Sequence, residues 1–309
     1  MAKTEKNHCL LPPRRRCGHK GTYGTAVLVA GSLGMAGAAA LCARAALLSG
    51  AGLTRLLTAK TIVSIVAGGI PDVMTAPLNA DRKGRIALAA LQKIRGHLAK
   101  ASAFGIGPGL GQSLGLERLV ESLFFEQNAP AVFDADALNL LAARHLFDGR
   151  TLSLPAPRVL TPHPGEFARL TGKPTPPDAA GREEAVRDFF RGLREKNIPL
   201  TLVLKGAGTV ICDGDRLTVN HTGNPGMAVG GSGDVLTGII TAFLARGLEP
   251  FDAAALAAAL HGKAGDLAAS ALGMESLTAS SLLEYLPEAF VRYQRAPDAF
   301  MENAGKGER

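Results

Sequence analysis

Apolar residues in this chain come in short uninterrupted runs rather than in alternation. Most runs end in a loop carrying glycine, aspartate or proline, and a stretch of helical spacing follows. Residues 25–30, 53–59, 102–106, 131–134, 158–160 and 200–205 are runs of strand length. Continuous apolar runs of this kind belong to strands covered on both faces. Between them, 35–49, 61–67, 86–100, 115–127, 137–146 and 183–196 have helical character, the last strongly charged. Residues 72–78 lead into a loop, and Asp213–Gly214–Asp215 marks a hairpin after the last strand. Further helices are expected over 235–244, 252–271 and 279–293. In the first of these Leu236, Ile239, Ile240, Phe243 and Leu244 share one face. The alternation predicts an α/β fold, a central, mostly parallel sheet with helices on both faces. In such sheets ligands bind past the carboxyl ends of the strands, where the loops meet. Residues 1–18 read as a basic irregular lead-in, 19–295 as one domain and 296–309 as a polar tail.

Composition narrows the picture. Apolar residues make up 47% of the 309, enough for a sizeable core, and the 37 glycines fall in separate clusters that suit many strand-to-helix turns. A net charge of +7 suits a polyanionic small substrate or simple solubility. Nucleic acid is a poorer partner, because aromatics are only 5% and no basic run interleaves with them. Cys9, Cys17, Cys42 and Cys212 are scattered, so no disulfide framework is expected and a reducing cytoplasm is the simple reading. His8–Cys9 and Cys17–Gly18–His19 match no zinc spacing. No signal core and no run of bilayer length is present, which argues against a membrane partner.

The stretch 220–236, NHTGNPGMAVGGSGDVL, carries the most chemistry. Gly231, Ser232 and Gly233 fall at the start of the apolar helix. Backbone N–H groups there lack intrahelical partners and the helix dipole is positive. Glycines let a phosphate approach those amides closely. Asp234 adds a carboxylate beside this anion hole. Its useful work there is to take a proton from a hydroxyl that attacks the phosphate. An acid in a first helical turn is also favourable on its own. GSLGMAGAA (31–39) follows a strand and opens a helix, but it lacks the spacing and the downstream acid of a Rossmann-type NAD site. Its small residues suit either a ligand lying close or tight helix–sheet packing. Gly107–Pro108–Gly109–Leu110–Gly111 offers amides to a phosphate or a ring edge. Asp134 and Asp136, with Asn139, either orient a metal through waters or cap the next helix. His163 and Glu166 lie in a proline-stiffened loop that also fits a helix starting at Pro164. Lys205–Gly206–Ala207–Gly208–Thr209 follows an apolar strand and suits a nucleotide's phosphate and sugar, or a hairpin with a surface lysine.

Taken in order, HKGTYG (19–24), VAGS with GMAGAA, IGPGLG, FDADALN, LTPHPGE, LKGAGT and NPGMAVGGSGDVLTG resemble the ADP/ATP-dependent NAD(P)H-hydrate dehydratases, a family of ribokinase-like fold. The resemblance runs from about residue 19 to residue 290. It implies repair of hydrated NADH or NADPH. The (6S) hydrate is dehydrated with ADP (or ATP) as phosphoryl donor and Mg2+ as cofactor, giving NAD(P)H, AMP and phosphate. The ring hydroxyl is phosphorylated and phosphate is then eliminated. By the same resemblance Asp234 is the base and touches the substrate. Gly231, Ser232 and Gly233 form the anion hole. Lys205, Gly206, Ala207, Gly208, Thr209 and Gly233 hold the nucleotide. Ala38, Ala39, Gly109 and His163 contact the hydrated dinucleotide, and Glu166 organises Mg2+ through water. A homo-oligomer, a tetramer, is implied, together with a separate NAD(P)H-hydrate epimerase, this chain being the stand-alone form. Two other readings share the G-S-G-D loop. One is a kinase of the same fold leaving a stable phosphate ester, against which HKGTYG and GMAGAA argue. The other is a nucleotide-binding sensor without turnover, against which the intact Asp234 argues.

Overall fold

The protein's structure, a computed structural model, describes residues 11, 14–145, 147, 152–193 and 198–306. Seven strands run parallel: β1 (Thr25–Val29), β2 (Leu53–Ala59), β3 (Met74–Leu78), β4 (Ala103–Ile106), β5 (Ala131–Phe133), β6 (Arg158–Leu160) and β7 (Leu200–Leu204). The hairpin β8 (Thr209–Cys212) and β9 (Leu217–Asn220) is antiparallel and closes one edge. The nine strands lie in the order β3-β2-β1-β4-β5-β6-β7-β8-β9. Every residue of β4, β5, β6 and β7 is buried, as expected for a sheet covered on both faces. The chain runs outward from β1 to β3, then starts again at β4 and runs the other way. The order reverses between β1 and β4, and a crevice opens at that point.

The helices are α1 (Ala36–Leu48), α2 (Val63–Gly69), α3 (Leu91–Leu98), α4 (Leu114–Glu126), α5 (Asp136–Ala143), α6 (Pro164–Thr171), α7 (Ala179–Gly192), α8 (Ser232–Ala245), α9 (Pro250–Leu272), α10 (Ala279–Arg295) and α11 (Pro297–Gly305). Strand alternation shows that they cover both faces. A Cβ on Gly105 of β4 would lie 2.4 Å from Thr241 Oγ1 of α8. Its neighbour Phe104 points the opposite way and stacks edge-on with Phe133, which meets Phe124 of α4.

Several elements depart from the pattern read in the sequence. Within 72–78, Met74–Leu78 form the edge strand β3 rather than an approach to a loop. Pro77 is tolerated there because an edge strand has an unpaired side. The expected helix over 86–100 is broken into a 3-10 turn, Leu88–Ala90, and α3, because Ile86 bridges back to Ala80 and Ala87 is extended. Helix α8 has no polar face: Val235 to Ala245 are all buried, packed between the sheet, α1 and α9. A Cβ on Gly238 would lie 2.2 Å from Cys42 O, so α1 and α8 touch almost backbone to backbone. The segment 296–309 carries α11, and Ala304, buried, accepts a hydrogen bond from His221 N at 2.8 Å.

HKGTYG forms a 3-10 turn capped by His19, whose Nδ1 accepts from Gly21 N at 3.1 Å. It leads into β1 at the amino end, on the far side of the sheet from the strand carboxyl ends. Arg14 stacks 4.3 Å above the Tyr23 ring and donates to Gly50 O. His8–Cys9 lies outside the described residues. Cys17, Cys42 and Cys212 are free thiols. Among the described residues no helix is long and apolar enough to cross a membrane.

Candidate active site

The loops after β1, β4, β5, β6 and β7 meet the amino end of α8. That helix starts on Gly231, which has φ 93° and provides no side-chain cap. The left-handed backbone requires glycine, and a Cβ here would also lie 2.6 Å from Leu41 Cδ1. The Gly233 and Asp234 amides of the first turn therefore stay open to a ligand, whereas Ser232 N donates a long hydrogen bond to Val229 O at 3.4 Å. A Cβ on Gly233 would lie 3.1 Å from Lys205 Nζ and 3.8 Å from Asp134 Oδ2, so helix start and charged cluster are adjacent.

Asp134 is the buried hinge of that cluster. It is 1% exposed, takes Lys205 Nζ on Oδ1 at 2.6 Å and the Thr237 hydroxyl on Oδ2 at 2.6 Å. Glu166, also buried, lies 3.8 Å from Lys205 Nζ. Burial opposes the Lys205 charge, but Asp134 and Glu166 outweigh it and hold its pKa above the ordinary lysine value. The hairpin is present, joining antiparallel β7 and β8, but the lysine is not on its surface: its side chain is turned inward, 18% exposed. Burial raises the Glu166 carboxyl, with Lys205 pulling it back.

Asp234 follows Gly233 in the first turn of α8. Burial first, then Asp134, push its carboxyl from 3.8 up to about 7, with Lys205 acting the other way. Among the described residues nothing hydrogen-bonds its carboxylate. A carboxyl with a pKa near neutrality and free oxygens can take up a proton at working pH.

His163 caps α6. Its Nδ1 accepts from Gly165 N at 3.0 Å and Glu166 N at 3.3 Å, while Glu166 Oε2 accepts from His163 N at 2.8 Å. Burial and then Lys205 lower its pKa, so the ring is neutral, with Nε2 beside Glu166 Oε1 at 3.3 Å. Half of its side chain faces solvent at the crevice mouth. The helix start at Pro164 and the exposed histidine are both present.

At the β1/β4 switch point, Gly109 has φ 61°, and a Cβ on it would lie 2.8 Å from Met35 Cβ and 3.1 Å from Ala38 Cβ. Ala38 borders this gap. Ala39 does not: it is fully buried, against Gly31, and packs helix on sheet. Asp136 does not cap α5. Its carboxylate accepts from Gly111 N at 2.8 Å and ties the glycine loop to α5, whose N-cap is Ala135 at φ 50°.

Gly206 to Thr209 form an open turn closed by Thr209 Oγ1 donating to Gly206 O at 3.0 Å. Arg182 of α7, only 7% exposed, donates to Ala207 O from behind the turn. Three residues to which the sequence assigned no role therefore support the site: Thr237 under Asp134, Arg182 under the Lys205 loop, and His261 of α9, whose Nε2 meets Ser232. Thr237 and His261 left a weak signal, as polar residues in largely apolar helices that also hold Thr241 and Asp266. Arg182 sits in a charged helix and left none.

A family model described as NAD(P)H-hydrate dehydratase matches residues 26–288. The chain belongs to that family. A bifunctional NAD(P)H-hydrate repair enzyme, Nnr, from Moorella thermoacetica is 43% identical over 279 residues, covering 90% of this chain and 51% of its own. The chain spans about half the length of the curated relatives it matches. An ADP/ATP-dependent NAD(P)H-hydrate dehydratase from Bacillus subtilis, co-crystallised with ATP and Mg2+, superposes with a TM-score of 0.76 at 32% identity, covering 92% of this chain and 94% of its own. A ribokinase-like superfamily protein from Enterococcus faecalis gives a TM-score of 0.74 at 26% identity over 92% of each chain, so the fold is ribokinase-like.

The donor set can be tested against the Mg2+ of the Bacillus protein. Among the described residues no three His, Cys, Asp or Glu side chains gather as metal ligands. Asp134 is engaged by Lys205 and Thr237, and Asp136 by Gly111 N, so the two carboxylates would act on a metal through waters rather than as direct ligands. Yet Asp134, Asp136 and Glu166 all act on Asp234 against one lysine, Lys205, an excess of negative charge. This fits a hard cation that keeps its waters and rides on nucleotide phosphates, with Glu166 behind a water.

Proposed function

We propose that this protein dehydrates (6S)-NAD(P)H hydrate at the expense of ADP, releasing NAD(P)H, AMP and phosphate. The observation that carries this reading is the Asp234 carboxylate, which accepts no hydrogen bond among the described residues, in the first turn of α8 with Lys205 next to Gly233. ADP lies along Lys205, Gly206, Ala207, Gly208 and Thr209, with Gly233 at its phosphates. The hydrated ring lies between Ala38, Gly109, His163 and Asp234. Asp234 takes the proton of the ring hydroxyl as that oxygen attacks the terminal phosphorus of ADP, and AMP leaves. The amides of Gly231, Ser232 and Gly233 hold the phosphoryl oxygens where negative charge grows. Lys205 adds a fixed cation, kept in place by Asp134. Mg2+, held through water by Glu166, would neutralise phosphate oxygens. Hydroxide is a poor leaving group and phosphate a good one. The ring nitrogen's lone pair then expels phosphate, and loss of a proton from the neighbouring ring carbon restores the double bond.

Residues 19–295 act as one domain in this reading, in the cytoplasm, within a homotetramer. A separate epimerase supplies the (6S) form, and no nucleic acid or membrane takes part. ATP serves as the alternative donor. The test is incubation with ADP, Mg2+ and hydrated NADH. Equal yields of NADH, AMP and phosphate support the reading. A stable phosphate ester would indicate a kinase, and ADP binding without turnover a sensor.

A further inference from the structure

Helix α9 is the template on which the site loop is laid. Asp266 accepts from Gly223 N and Asn224 Nδ2, each at 3.1 Å, and Thr222 Oγ1 donates to Ala259 O at 3.2 Å. One residue of this face reaches the anion hole itself. His261 Nε2 lies 3.0 Å from the Ser232 carbonyl oxygen and 3.3 Å from Ser232 Oγ. A carbonyl oxygen only accepts, so the shorter contact is a hydrogen bond only when Nε2 carries the proton. The tautomer is thereby fixed. The same N–H faces Ser232 Oγ, which accepts from it and keeps its own proton free to donate elsewhere. Burial drives the His261 pKa down to about 4, with Lys205 acting the same way and the Ser232 contact against both, so the ring is neutral at ordinary pH.

Ser232 is the first residue of α8, between Gly231 and Gly233. Its carbonyl belongs to the peptide unit whose N–H is that of Gly233. A hydrogen bond to that carbonyl polarises the unit and strengthens the amide as a donor. We propose that His261 is a positioning residue for phosphoryl transfer, holding Ser232 so that its hydroxyl proton and the Gly233 amide both face the transferred phosphate. This rests on the reading of the α8 amino end as the phosphate site.

The test separates a hydrogen bond from packing. His261→Leu keeps bulk and loses the donor, whereas His261→Gln carries an amide N–H at the reach of Nε2. His261→Leu should lower kcat about tenfold, the effect of one hydrogen bond. It should also weaken ADP several-fold by calorimetry and leave the KM for hydrated NADH unchanged. His261→Gln should restore most of both losses. In a Ser232→Ala background His261→Leu should cost less than in the parent, because part of its effect runs through the hydroxyl. Equal impairment of the Leu and Gln variants, or a Leu variant with the parent's kcat and ADP affinity, would overturn the proposal. If the parent binds ADP but does not turn over hydrated NADH, the reaction assigned above fails, and the ADP affinities of the three proteins still decide the role of His261.

Discussion

Asp234→Asn should abolish turnover and, above neutral pH, stabilise the protein. Burial and Asp134 raise the folded-state pKa of this carboxyl from 3.8 to about 7. Between these values the unfolded chain has released a proton that the folded state retains. The native state binds more protons there, so stability falls as pH rises through the window, and the penalty is complete above the folded pKa. The shift corresponds to a ceiling of ~4 kcal/mol at about 1.4 kcal/mol per unit. Partial exposure and solvent screening reduce this to roughly 1–2 kcal/mol. Asparagine nearly matches the protonated acid in shape. Parent and variant should therefore melt together near about pH 4, and at about pH 8 the variant should melt roughly 1.5–3 °C higher. Scanning calorimetry without nucleotide reads this, and kcat for hydrated NADH should fall by about a hundredfold or more. A melting difference that does not grow with pH would mean that the carboxylate is not desolvated. A variant with the parent's kcat would mean that it is not the base.

Lys205→Ala should weaken ADP more than the hydrated dinucleotide by calorimetry, on protein shown by circular dichroism to be folded. Equal loss for both ligands would contradict its place at the nucleotide. His163→Asn keeps a capping side chain on α6 and removes Nε2. The KM for the hydrated dinucleotide should rise, with ADP affinity and melting temperature nearly unchanged, and an effect confined to ADP would put His163 on the wrong side of the site. Thr237→Val removes the 2.6 Å hydrogen bond to Asp134 Oδ2 and should cost about 1–3 kcal/mol in urea unfolding. Unchanged stability would mean that Asp134 does not need that donor.

The parallel strands were legible because buried apolar runs followed by loop residues leave few alternatives, and all six expected runs begin and end within one residue of the observed strands. β3 was hidden by its exposed, proline-bearing sequence, which only an edge position tolerates. Helix α8 showed its length but not its burial, since a helix sandwiched between sheet and helices has no polar face to reveal its direction. At the site, the glycine that starts α8 was legible because the left-handed backbone at Gly231 requires it. The work of Asp134 was not, because its partners Lys205 and Thr237 lie 71 and 103 residues away. Ala38 and Ala39 are indistinguishable by type, and only the helix rotation turns one to the crevice and the other into the core.

The central claim is that the ring hydroxyl itself attacks ADP. Hydrated NADH carrying heavy oxygen at that hydroxyl, incubated with ADP and Mg2+, tests it most directly when the released phosphate is read by mass spectrometry. The account predicts that the label leaves in the phosphate, one labelled phosphate and one AMP for each NADH restored, with no phosphorylated dinucleotide accumulating. Label found only in water would mean that nucleotide hydrolysis accompanies dehydration without taking part in it, and Asp234 would lose the role assigned to it.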